Sequence, residues 1–135
     1  MNPELLQALR SVHAADGWVS LGTVGKGGWP HVTPVMMGVR DDCLLFSLTG
    51  KQKKRNIERD PRVCVSLSQP IDLAHVIVWG EMQLRHDAEA QGLWDDLISG
   101  AFGAEGLAAR RRILSLDGTS LGVLTPRRHR LYKVT

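Results

Sequence analysis

Apolar residues recur at every third or fourth position from Pro3 to Ala15, where Leu5, Leu6, Leu9, Val12 and Ala15 mark one face of a helix. Asn2 is suited to cap it, Pro3 to occupy its first turn and Asp16-Gly17 to stop it. The pattern then changes to short extended segments. These are Trp18 to Val24, Trp29 to Val39, Cys43 to Leu48, Val63 to Leu67, Ala74 to Arg85, Leu121 to Thr125 and Arg130 to Val134, the last two parted by Pro126. Gly25-Lys26-Gly27-Gly28, Arg40-Asp41-Asp42 and Gln69-Pro70-Ile71-Asp72 read as turns or breaks. Helical spacing returns three times: in Lys51 to Arg59, ended by Asp60-Pro61; behind a capping Asp87, through Ala90, Leu93, Trp94, Leu97, Ile98 and Phe102; and in Leu107 to Leu116. Gly100 and Gly103 mark the expected end of the second of these.

Seven short strands with helices at the start, after the third strand and before the last pair suit a small antiparallel barrel better than a parallel α/β sheet. The first three strands are joined by turns too short for a parallel crossover, so they should form a meander. The second strand carries Pro30 and Pro34, each lacking a ladder donor. Such a strand belongs at an edge, at a split in the sheet, or beside something other than a neighbouring strand. The expected fold class is mainly β: an antiparallel barrel with peripheral helices.

A chain of 135 residues is the length of one domain, spanning 1–135, and can bury a sizeable core. Its 43% hydrophobic and 23% charged residues argue against a disordered or collagen-like chain. No apolar run reaches the roughly 18 residues that span a bilayer. The first residues lack the basic-then-apolar layout of a secretory signal, so no membrane partner and a cytoplasmic location are expected. Cys43 and Cys64 lie in apolar segments and read as reduced packing residues.

A net charge of +3 conceals strong clustering, because 13 of the 17 basic residues fall in three groups. Lys51, Lys53, Lys54, Arg55, Arg59 and Arg62 form the first, Arg110, Arg111 and Arg112 the second, and Arg127, Arg128, Arg130 and Lys133 the third. The first has chemical value because of where it falls. Ser47 and Thr49 supply hydroxyls at a strand end, Gly50 permits a close turn, and a helix begins at Lys51. A helix N-terminus offers unpaired N–H groups and positive dipole, to which Lys51 or Lys53 can add an ammonium. The outline is that of a phosphate site, although a solvated basic helix has the same pattern. It is not a Walker loop, since Gly50-Lys51 lacks the upstream glycine and a following Ser or Thr. Nucleic acid is a poorer fit, because none of the seven aromatic residues lies among Lys51 to Arg62 to stack bases. The five histidines show no short-spaced pair, so no metal site is expected, and no serine nucleophile motif is present.

Two segments together resemble a known family: Pro30-His31-Val32-Thr33-Pro34-Val35, then Phe46-Ser47 through Lys53-Lys54-Arg55-Asn56-Ile57-Glu58-Arg59-Asp60-Pro61-Arg62-Val63, followed by the strand that ends in Gly80. Most of the chain resembles the pyridoxamine-phosphate-oxidase-like, flavin-binding split barrels, oxidoreductases that use FMN or a deazaflavin. The resemblance implies a split β-barrel of Greek-key type. It also implies an FMN ring passing along His31, Val32, Thr33 and Pro34, with its phosphate held by Ser47, Lys51, Gln52 and Lys53. His75 and Val76 align with a later flavin-contacting strand, although His75 reads equally well as an ordinary strand residue. Arg55 and Asn56 are candidates for pinning the helix instead. The family implies a homodimer with cofactor at the subunit interface, to which Trp29, Met36, Met37 and Trp79 would add apolar surface.

Departures narrow the chemistry. His31 and Met36 stand where pyridoxamine-phosphate oxidases carry arginine and lysine, and Gln52 replaces an arginine of the phosphate loop, which argues against that particular activity. The expected function is hydride or electron transfer from FMN to a small organic substrate, with no catalytic side chain assigned. The alternatives are a reductase using the deazaflavin coenzyme F-420, and a flavin or tetrapyrrole binding protein without turnover.

Overall fold

A computed structural model describes residues 1–13, 17–69, 74–114 and 120–132, with the backbone alone for 110–114. The Arg110 to Arg112 side chains, Lys133, the Asp16 stop, the Pro70 to Asp72 break and the expected ends at Ala15, Leu116 and Val134 lie outside the described residues. The chain forms α1 (Pro3–Val12), β1 (Trp18–Val24), β2 (Pro30–Val39), β3 (Leu44–Leu48), α2 (Lys51–Arg59), β4 (Arg62–Ser68), β5 (His75–Arg85), α3 (Ala88–Leu114) and β6 (Ser120–Tyr132). The six strands close into an antiparallel barrel in the order β1-β2-β3-β6-β5-β4.

Strand alternation sorts the side chains. Val19 and Leu21 of β1, Val35 and Met37 of β2, Phe46 of β3, Val65 of β4 and Val78 of β5 point inward and share one core with Leu5, Leu9 and Val12 of α1 and Ile57 of α2. The Asn2 side chain accepts the N–H groups of Glu4 and Leu5 and fixes the start of α1, whose buried face closes one mouth of the barrel. Near the opposite mouth, α2 is tied to the end of β1, where buried Asn56 donates from Nδ2 to Thr23 Oγ1 at 3.0 Å. A second cluster lies outside the barrel: Ala90, Trp94 and Ile98 of α3 cover Met36, Leu45 and Leu121. For that reason β3 is buried on both faces.

One expectation changes. The last two predicted strands are one, since β6 runs through Pro126. The register shifts between Trp79 and Gly80, so Pro126 pairs with Gly80 and Arg128 with Trp79, leaving Arg127 as the extra residue of a bulge. A bulge interrupts the ladder where proline has no donor to give. The Asp87-capped and Leu107 helices are the two parts of α3, separated at Gly103, whose backbone is non-helical (φ 74°) and which stands where the first of them was expected to end. Asp87 Oδ1 does accept the Ala90 N–H, at 2.8 Å.

The position of the prolines in β2 now has a geometric reason. β2 pairs with β1 from Pro30 to Met36, but with β3 only from Met36 to Val39. Met37 N–H donates to Gly17 O, on the β1 side, so by alternation Pro30, Val32, Pro34 and Met36 turn their backbone groups the other way. Pro30 and Pro34 therefore lack donors on the edge where β3 is missing. The barrel is split there.

The bulge sets a steric limit. A side-chain carbon at Gly80 would fall 2.4 Å from Thr125 O, whereas one at Gly92 in α3 would meet nothing within 4 Å. Gly80→Ala should lower stability by about 1–3 kcal/mol. Gly92→Ala should raise it by roughly 0.5–1 kcal/mol. Urea denaturation of the two variants beside wild type measures both changes.

Candidate functional site

The split is bounded by the free half of β2, by the chain leaving β3, and by the start of α2. Ser47 pairs with Met36, the last residue of β2 before its free half, so Thr49 and Gly50 leave the sheet where the two strands part. Thr23, which anchors α2, is the cross-strand partner of His31. The helix is thereby fixed at the same end of the barrel as the free edge.

The N-terminus of α2 is open to an anion. Gly50 is its N-cap and makes no side-chain capping bond, and the first turn contains no acidic residue. Lys53 is buried, with its side chain folded back over Gly50; a carbon added at Gly50 would lie 2.8 Å from Lys53 Cε and 3.4 Å from Nζ. Burial, and secondarily the charge of Lys54, holds the Lys53 pKa below the ordinary lysine range. Among the described residues no carboxylate pairs with Lys53. An uncompensated ammonium beside unsatisfied helix N–H groups favours a phosphate or carboxylate.

The free edge of β2 supplies a second set of groups. Because Pro30 and Pro34 have no N–H, Val32 contributes the one backbone donor along Pro30 to Val35 on that edge, flanked by carbonyl oxygens. The Thr33 backbone faces β1 instead. Its side-chain Oγ1 and His31 Nδ1 are buried and have no hydrogen-bond partner. An unmet buried polar atom costs about 1–3 kcal/mol unless a ligand or water satisfies it.

The remaining candidates divide. Ser47 is buried and accepts the Trp94 Nε1–H on Oγ at 2.8 Å. Lys51 is exposed in the first turn of α2. Gln52 is turned away from the helix N-terminus, because its Nε2 donates to Asn56 Oδ1 at 2.8 Å, where Arg59 Nη2 also donates at 2.8 Å. Asn56, with 0% exposure, is the pin of this helix, while Arg55 projects into solvent. His75 and Val76 are not brought to the split within one chain. His75 stacks on Tyr132 with ring centroids 4.6 Å apart, on the outer barrel face, and Val76 is buried in the barrel. The β5 backbone is paired on both sides, with β4 and β6.

An open groove of about 630 Å³ lies on the outer face of β1, β2, β4 and β5, lined by Ser20, Gly22, Val32, Cys64, Ser66 and Trp79 among others. Val32 is 66% exposed within it, and the Arg128 guanidinium lies over the Trp79 ring at 4.7 Å. Of the four residues expected to add apolar surface, Trp29 is 79% exposed and Trp79 lines the groove, but Met36 and Met37 are buried, Met36 under α3 and Met37 inside the barrel. The groove and the Ser47–Trp94 bond had no counterpart in the sequence reading, since both join residues far apart in the chain. Both cysteines are free and half-buried, and burial pushes their thiols up.

A closed antiparallel barrel whose second and third strands part early, beside a basic helix, is a split barrel. The chain belongs to the pyridoxamine 5'-phosphate oxidase family, whose model matches residues 5–128. Solved structures of the same fold include a Clostridium acetobutylicum protein related to general stress protein 26 of B. subtilis, with 17% identity and a TM-score of 0.76, covering 98% of this chain and 91% of that one. An F-420 reductase is 22% identical, with a TM-score of 0.67 over 90% of this chain and 94% of the other. A heme binding protein from Mycobacterium smegmatis is 20% identical, with a TM-score of 0.68; the match covers all of this chain and 59% of that one. No curated protein sequence matches the chain. Among the described residues, no helix is long and apolar enough to cross a membrane.

After α2 the chain is held by Asp60, whose Oδ2 accepts from Arg62 Nη2 at 2.6 Å and whose Oδ1 accepts the Arg62 backbone N–H at 3.1 Å. The guanidinium bonds, then the backbone bond, hold the Asp60 carboxyl down at about 2. Its stabilising effect is present above the ordinary carboxylate range and is lost as pH falls through about 2. Carboxyl-carbon NMR should find Asp60 titrating near 2, and Arg62→Ala should return it toward 3.8.

Proposed function

We propose that residues 1–135 act as one flavin-binding domain, a homodimeric oxidoreductase that holds FMN in the split and passes hydride or electrons to a small organic substrate. The observation that carries this reading is Lys53: a buried ammonium with no counter-ion among the described residues, folded over Gly50 at an uncapped helix N-terminus. Such a group favours a phosphate monoester, and the free edge of β2 suits a planar partner that offers both donors and acceptors. FMN has both parts, and its ring supplies the two-electron chemistry when bound.

Each residue then has a defined task. Lys53 and the first N–H groups of α2 neutralise the phosphate, with Lys51 adding charge from solvent. Val32 N–H and the Pro30 and Pro34 carbonyls orient the ring edge, while His31 Nδ1 and Thr33 Oγ1 gain partners for atoms otherwise left without them. Asn56 keeps α2 in register by its bond to Thr23. Gln52 supports this network rather than touching the phosphate. The exposed groove, with Val32 and Trp79, and the uncovered Trp29 support a second copy as the partner that excludes water from the site. His75 would reach cofactor only on the outer face.

A second reading keeps the site and replaces FMN by the deazaflavin coenzyme F-420. It is favoured by the exposed Arg127, Arg128 and Arg130 of β6, which suit a longer anionic tail.

Titration of the apoprotein with FMN and with F-420, followed by absorption, tests both readings, and uptake of neither overturns them. Lys53→Ala should weaken binding of the preferred cofactor by about 1.5–3 kcal/mol. The sign with pH follows from the lowered Lys53 pKa. The ammonium attracts phosphate only while protonated, so affinity falls as pH rises through that lowered value, and Lys53→Ala should flatten this alkaline limb.

A further inference from the structure

Trp94 lies in α3, 3% exposed, among Met36, Leu45 and Leu121 on the outside of the barrel. Its size and surroundings are those of a core residue, but its polar atom is directed at one place. Nε1 donates to Ser47 Oγ at 2.8 Å in a buried bond that joins residues 47 positions apart. An indole nitrogen can only donate, so the serine oxygen is the acceptor here. The serine proton must then point away from Trp94, and among the described residues no acceptor takes it.

Ser47 stands at the last β2–β3 pair, three residues before the Gly50 cap of α2. A hydroxyl whose acceptor side is already occupied presents its proton to whatever anion lies at that strand end. We infer that Trp94 is a positioning residue of the phosphate site, which fixes the Ser47 hydroxyl as a donor. The inference rests on the reading of the split as an FMN site. It extends that site from β3 to α3. It also predicts selectivity, since a donor aimed at phosphate distinguishes FMN from riboflavin.

The test measures the affinity of apoprotein for FMN and for riboflavin in wild type, Trp94→Phe, Ser47→Ala and the double variant. Phenylalanine keeps an aromatic ring in the α3 cluster and removes the donor with part of the indole volume, a packing loss that would act on FMN and riboflavin alike. Each single variant should weaken FMN about three- to tenfold and leave riboflavin unchanged. The double variant should be no weaker than the weaker single, because both changes remove one unit. Equal losses for FMN and riboflavin, additive losses, or an unchanged FMN affinity in Trp94→Phe each overturn the inference. Wild-type protein that binds neither compound overturns the FMN reading itself and the inference with it. Should Trp94→Phe fail to fold, wild type still decides: the indole N–H resonance that Ser47→Ala displaces should move on adding FMN and stay in place with riboflavin. A resonance indifferent to FMN overturns the assignment.

Discussion

The parting of β2 from β3 beyond the Met36–Ser47 pair governs the rest of the molecule. Up to that pair, the two strands are bonded to each other as neighbours in a closed barrel. Beyond it, β2 continues for six residues with a partner on one side only, and β3 turns outward into Gly50 and α2. A barrel that closed fully would bury this edge and leave no backbone for a ligand. Here the same residues form a paired wall on one side and unsatisfied groups on the other, so a ligand bound there would require little ordering of the backbone.

Electrostatics complete what topology opens. Lys53 could have reached solvent, as Lys51 does, yet it lies over a glycine that leaves room for its methylenes. Water is excluded from much of its surface, and the neighbouring Lys54 repels it. The protein thereby carries an unfavourable charge, which a bound anion would relieve. The opposing requirement, that α2 must not yield to this strain, is met by Asn56, which joins Gln52, Arg59 and Thr23 through a single amide.

Much of this could be read along the chain because it is local. The strand-to-helix turn from Ser47 to Lys53, the paired prolines of β2 and the Asp60-Pro61 stop each depend on residues a few positions apart. The family resemblance rested on those same segments. Features set by distant pairing were not legible. Pro126 interrupts an apolar run and so read as a break, but the bulge opposite Gly80 absorbs it. Met36 read as surface because an alternating strand does not reveal that α3 covers its outer face, and Met37 because the pattern alone does not show which face turns into the barrel. Nothing local signals that the Gln52 amide bonds Asn56, and Ser47 gives no hint of the tryptophan on its far side.

The two prolines of β2 have a further consequence. An unpaired strand edge is a template on which another chain can add a strand, and growth from such edges leads to aggregates. Six consecutive residues of this protein are left in that condition by the split. Pro30 and Pro34 remove alternate donors, so the carbonyls of an incoming strand would find a single N–H to meet them. The edge thus offers another strand too few donors for a regular ladder, so the prolines weaken it as a template while its carbonyls and one N–H stay uncovered.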